Sequence, residues 1–214
     1  MPLPLPVRNR LAELALEAFE PGQARATLLA LERALRADVS EVGTEDAGRL
    51  LALGWFEPAA PGRVRLLGAY RAHGPSLAAR AARAASAVRD WGDRGLEGME
   101  PLLDRAAILA RHGLFFEVHE LLEPVWFRAA EPVRTALQGV IQVAVAFHHL
   151  ENGNREGARS LLTLGVAKLA EAGTALPIDT RAWLAELRPA LAALATADGA
   201  APAPRWPRPG TRRP

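Results

Sequence analysis

The 214-residue chain contains no cysteine. That absence excludes a disulfide scaffold, a thiolate nucleophile, a cysteine-ligated zinc site and an iron–sulfur cluster. Lysine is almost as scarce: Lys168 is the only one, so every other basic side chain is an arginine. Long hydrophobic runs are also missing, and the most apolar stretch, Val140–Phe147, is too short to span a bilayer. The opening MPLPLPVRNR has no apolar core of signal-peptide length, and Pro2, Pro4 and Pro6 are expected to keep it out of a helix. A cytoplasmic protein with no membrane segment is therefore expected. No glycine-rich phosphate loop, G-x-S-x-G elbow or dinucleotide fingerprint occurs anywhere in the chain.

A sequence pI near 9.8 points at first to nucleic acid. Its distribution argues otherwise. Residues 91–198 hold more acidic than basic side chains, whereas the stretch 199–214 carries Arg205, Arg208, Arg212 and Arg213 with no acid. Guanidinium groups stay charged far above neutral pH and so raise the pI without making the body of the protein basic. Nucleic acid is not the expected partner. The expectation is an unidentified substrate or protein partner, with self-association left open.

The hydrophobic pattern is mainly helical, and four regions are expected. Residues 1–72 show amphipathic segments around 11–19 and 23–36, then a short helix from Glu45 to Leu53 with Thr44 as its cap. Trp55–Pro58 and Arg63–Leu67 flank a turn and read as a β-hairpin. Three helices followed by a hairpin resemble a winged helix. The candidate recognition helix, however, bears Glu45 and Asp46 beside the single Arg49, which disfavours contact with phosphate. Residues 73–99 read as an alanine- and arginine-rich connecting helix and linker. Residues 100–198 read as an antiparallel bundle of five helices, at about 101–112, 115–127, 132–151, 154–172 and 180–195, joined by short loops. Thr180 is expected to cap the last of them. The proline- and arginine-rich residues 199–214 are expected to be disordered.

The segment FFEVHELLEPVWF, residues 115–127, carries the chemistry. On a helix its His119 and Glu123 are four residues apart and meet on the surface, among Phe115, Phe116, Trp126 and Phe127. Glu120 is adjacent to them, and Glu117 lies further round on the side expected to be wetter. The next helix, through QGVIQVAVAFHHL, places Gln138, Gln142 and His149 on one polar stripe, with His148 beside it. Buried amides and imidazoles need partners, and the facing His119/Glu123 band is the simplest supply. Two readings stand side by side. In one, His119, Glu123, His149 and His148 are ligands of one divalent zinc, iron or manganese ion. Glu120 or Glu117 then serves as general base of a hydrolase, and Gln138, Gln142 and Trp126 line the pocket. In the other, the same groups form a structural hydrogen-bond network in a non-catalytic interaction module. A third reading, DNA-binding regulation, rests only on the N-terminal topology.

The order Glu117-Val118-His119-Glu120-Leu121-Leu122-Glu123-Pro124-Val125-Trp126, then Leu137-Gln138-Gly139-Val140-Ile141-Gln142, then His148-His149 and Gly153-Asn154 resembles the domain-of-unknown-function 309 family over about residues 100–194. The resemblance implies a compact all-helical fold. Family members are sometimes labelled predicted metal-dependent hydrolases, and the motif positions are Glu117, His119, Glu120, Glu123, Trp126, Gln138, Gln142, His148 and His149. The first hundred residues lie outside the resemblance.

Overall fold

The computed structural model describes residues 3–196 and 201–210. The chain is mainly α-helical and divides into two compact units, Met1–Arg94 and Gly95–Pro214.

The first unit runs α1 (Leu5–Glu17), α2 (Gln23–Ala34), β1 (Val39–Glu41), α3 (Thr44–Ala52), β2 (Phe56–Ala60), β3 (Arg63–Leu66), a short 3-10 turn (Gly68–His73) and α4 (Gly74–Trp91). Helix α1 begins well before the first amphipathic positions read from the sequence. Pro6 falls in its first turn, where a missing N–H costs nothing, so the prolines do not exclude the helix. The expected hairpin of β2 and β3 is present, and β1 adds an edge to give the antiparallel order β1-β3-β2. A single helix, α3, separates β1 from β2, so no helix–turn–helix pair stands there. Thr44 is the first residue of α3 and makes no capping hydrogen bond, because Gly43 takes the cap position. Arg49 turns back onto Glu45 and Asp46, which neutralises its charge within the helix.

Helix α4, read as a connector, packs inside this unit. Leu77, Ala81, Ala84 and Val88 are buried, and the Trp91 ring meets Phe19 edge-on at 5.9 Å. The arginine side of α4 is not simply solvated, since Arg80 is buried as well. Arg25 fastens the same corner: its guanidinium donates to the carbonyls of Ala18, Phe19 and Gly92 and pairs with Asp93. Trp55 and Trp91 are both buried in the core of this unit.

The second unit contains α5 (Met99–Arg111), α6 (Phe115–Arg128), α7 (Val133–Glu151), α8 (Arg155–Ala172) and α9 (Thr180–Ala195). These are the five helices expected, with ends shifted by up to two residues. The carboxylate of Glu131 accepts the amide and hydroxyl of Thr135 and so satisfies the first turn of α7. Helix α7 is central. It approaches α8 so closely that a Cβ at Gly139 would lie 2.8 Å from Leu169 Cγ, and one at Gly165 would lie 2.9 Å from the Gly139 carbonyl oxygen. Only hydrogen fits at those two crossing points. Helix α9 is capped by Asp179, whose carboxylate accepts from the Ala182 amide, while Thr180 is buried as the first helical residue.

Of the stretch expected to be disordered, residues 199–200 and 211–214 lie outside the described residues. Residues 201–210 depart from that expectation. Trp206 lies against Trp183 and Phe115, and the Gly210 amide donates to the Pro177 carbonyl. A composition poor in apolar side chains predicts disorder, yet one indole supplies enough apolar surface to seat a short segment. Among the described residues no helix is long and apolar enough to cross a membrane.

Candidate functional site

Helices α6 and α7 run antiparallel, and two ring contacts fix their register. Phe116 meets His148 at 5.6 Å near one end, and the Arg134 guanidinium lies 5.5 Å over the Trp126 ring near the other. Both contacts come from the stripe of α6 that carries His119, Glu123 and Trp126, which point within about 60° of one another on an ideal helix. On α7 the facing stripe is Arg134, Gln138, Ile141, Gln142, Val145 and His148. Nearly every member of the two stripes is half-buried, neither in the core nor free in solvent. These half-buried stripes border each other along the helix pair, a boundary termed the groove below, and the pairing of Phe116 with His148 and of Trp126 with Arg134 puts Gln142 at the level of His119 and Glu123.

The centre of the groove is a convergence of one imidazole and two carboxylates. His119, Glu120 and Glu123 each offer a ligand atom such that all three lie within 4.8 Å of one another. His119 Nδ1 is 3.0 Å from Glu120 Oε1, and its Nε2 is 3.7 Å from Glu123 Oε1. The ring keeps 26% of its side-chain surface exposed and the two glutamates 38% and 40%, so the group is open to an incoming ion or molecule. A neutral imidazole that donates from Nδ1 to Glu120 presents an unprotonated Nε2 toward Glu123. The same contact holds the ring in place.

The histidines of α7 are not brought into that group. Among the described residues neither His148 nor His149 belongs to a set of converging ligand atoms. Asn154 explains His149. Its side-chain amide donates to His149 Nδ1 at 2.9 Å, while its Oδ1 accepts the Gly157 amide and caps α8. His148 contacts Asn152, lies 3.8 Å from Glu151 and stacks on Phe116. Phe116 also contacts the His119 ring at 6.2 Å, so an aromatic ring, not a shared ligand, relates the two imidazoles.

Glu117 is likewise placed differently from the expectation of a wetter side chain. It is fully buried, about 160° round the helix from His119, because α6 is covered on that side too. A base there cannot reach the groove. Gln138 and Gln142 are half-buried on the α7 stripe as read from the sequence. Gln142 Oε1 finds no hydrogen-bond partner among the described residues, and neither does the indole Nε1 of Trp126. The sequence places Phe116 near the site and Asn154 in the motif without assigning either a role, and it does not single out Arg134 or Asn152. The asparagines were detectable: Asn152 and Asn154 follow His148 and His149 at helix-end spacing, within reach of side chains one turn back.

Residues 103–161 match the family described as Domain of unknown function (DUF309). The DUF309 segment runs from α5 through α6 and α7 into the first turns of α8. It therefore contains the whole groove and the Asn152-Gly153-Asn154 turn, and it is shorter than the resemblance read from the sequence. No curated protein and no solved structure matches the chain.

Proposed function

We propose that the groove between α6 and α7 is a divalent-metal site and that the reaction it serves is hydrolysis. The convergence of His119, Glu120 and Glu123 within 4.8 Å carries this reading. With no cysteine in the chain, the donor set is imidazole and carboxylate, which suits zinc, manganese or iron. His119 would bind through Nε2 and Glu123 through a carboxylate oxygen. Glu120, which accepts from Nδ1, would fix the tautomer and the direction of the ring. Gln142 Oε1 is a further oxygen at the same level without a partner of its own among the described residues. An ion held there would supply Lewis-acid activation of a water or of a carbonyl or phosphoryl oxygen. Glu120, whose side chain is 38% exposed and which is not one of the two ligands, is the residue to take up the proton, in place of the buried Glu117. Phe116 and Trp126 would flank a substrate along the groove.

The test uses the full chain, stripped with chelator and titrated separately with zinc, manganese and ferrous ion. About one equivalent bound, with a higher unfolding midpoint, is the expected result, lost in a folded His119→Ala/Glu123→Gln variant. Absence of uptake of all three ions overturns the proposal. The His149–Asn154–Gly157 chain favours the second reading, a structural polar network, for the α7 end of the motif.

A further inference from the structure

The second unit carries another feature that the groove does not use. Phe147, Phe115, Trp206 and Trp183 form a continuous line of aromatic rings, with successive centroids 5.5, 6.4 and 5.1 Å apart. Three of these rings belong to the helices, and Phe115 and Trp183 are buried. The fourth, Trp206, arrives from the segment Ala201–Gly210, which the Gly210 amide fastens to the Pro177 carbonyl. A cleft of about 420 Å³ lies where this segment meets α9. Asp179, Glu186 and Trp183 line one wall; Arg205, Trp206 and Arg208 line the other. Acidic groups of the helix thus share a cleft with arginines of the segment.

The seat is not fully satisfied by what occupies it. Trp183 is 2% exposed, yet its indole Nε1 makes no hydrogen bond among the described residues, and Trp206 Nε1 makes none either. Buried indole donors ordinarily find an acceptor. Pro202, Pro204, Pro207 and Pro209 hold the segment to extended backbone, whose carbonyls have no internal partner. Aromatic-lined surfaces are the usual receptors for chains of that kind.

We propose that the Phe115–Trp183 face is a recognition surface for an extended, proline-rich, arginine-bearing segment, and that the chain's own residues 201–210 occupy it in cis as a detachable plug. A tethered segment competes at an effective concentration in the millimolar range, so a free segment of the same composition meets a largely filled seat. Removing the Trp206 ring opens the seat without altering its walls on the helices.

The experiment uses the full-length chain and its Trp206→Ala variant, with a labelled peptide of sequence APAPRWPRPG followed by fluorescence polarisation. Circular dichroism confirms that both proteins are folded, and Trp206→Ser serves as a second opened form. The variant should bind the peptide at least about 10-fold more tightly than the wild type. A peptide with its tryptophan replaced by alanine should lose that binding, and Glu186→Lys in the opened chain should weaken it several-fold at low salt. A folded variant that binds no peptide at millimolar concentration overturns the proposal, as does equal binding of the peptide that lacks tryptophan. A wild-type dimer that Trp206→Ala converts to monomer would show the segment seated on a second copy and would overturn the cis assignment.

Discussion

The Asn154 side chain joins two jobs: its amide donates to His149 Nδ1 at 2.9 Å, and its Oδ1 accepts the Gly157 amide at the start of α8. The cap orients the amide, since the oxygen must face the backbone N–H and the nitrogen is left to face the imidazole. His149 is thereby committed to the α7–α8 turn. Asn154→Ala removes both bonds and should destabilise the second unit by about 1–2 kcal/mol. His149→Ala should cost less, and the double variant should cost less than the two singles combined. Denaturant unfolding of the four proteins measures the coupling. Strict additivity would separate His149 from the cap.

The same commitment sets His149 apart from the metal site proposed at His119. His149→Ala should leave uptake of zinc, manganese or ferrous ion unchanged, whereas His119→Ala should abolish it. Glu120→Gln keeps the ligands but weakens the acceptor on His119 Nδ1. It should lower metal affinity about 10- to 100-fold. Calorimetric titration of each variant reads the difference, and an effect of His149→Ala as large as that of His119→Ala would contradict the geometry.

Close packing makes a third expectation. Gly139→Ala and Gly165→Ala each add a methyl group where the facing helix stands within 3.1 Å of the new carbon. Each should destabilise by about 1–3 kcal/mol through forced separation of α7 and α8. Thermal unfolding detects this. Retention of wild-type stability by both variants would mean that the helices part without cost.

A fourth concerns pH. The hydrogen-bonded Arg89 guanidinium, helped by Arg36, holds the Glu32 carboxylate below its ordinary value of 4.5, against the opposing effect of burial. A depressed folded-state value means that the unfolded chain binds the proton more readily. The stabilisation is therefore complete above about pH 5 and is lost as pH falls through the depressed value. Glu32→Gln should be about 1 kcal/mol less stable at pH 7 and show a shallower loss of stability in acid. Denaturant midpoints at pH 7 and at successively lower pH test both the size and the sign.

Much of the second unit was legible in the sequence because its signals are local. A period of 3.6 in the apolar residues marks each helix, Asn152-Gly153-Asn154 marks the sharpest turn, and four-residue spacing places His119 beside Glu123 on one surface. The misreadings share a cause. Glu117 reads as wetter because helical phase gives direction but not what covers that direction. Pro6 reads as a barrier although its position within a first turn is harmless. Strand β1, only three residues long, has too little pattern to register and exists because β3 offers it an edge.

By itself, then, the sequence determined the helical class, the chemistry of the donors and the pairing of His119 with Glu123. The lack of cysteine and the i,i+4 spacing need no knowledge of the rest of the chain. Only the tertiary structure decided that Glu117 is covered and that Phe116 stands between His119 and His148. It also decided that Trp206 returns from the tail to an aromatic seat. Each of these depends on which surfaces meet across tens of residues, and such meetings are set by packing of whole helices, not by spacing along one of them.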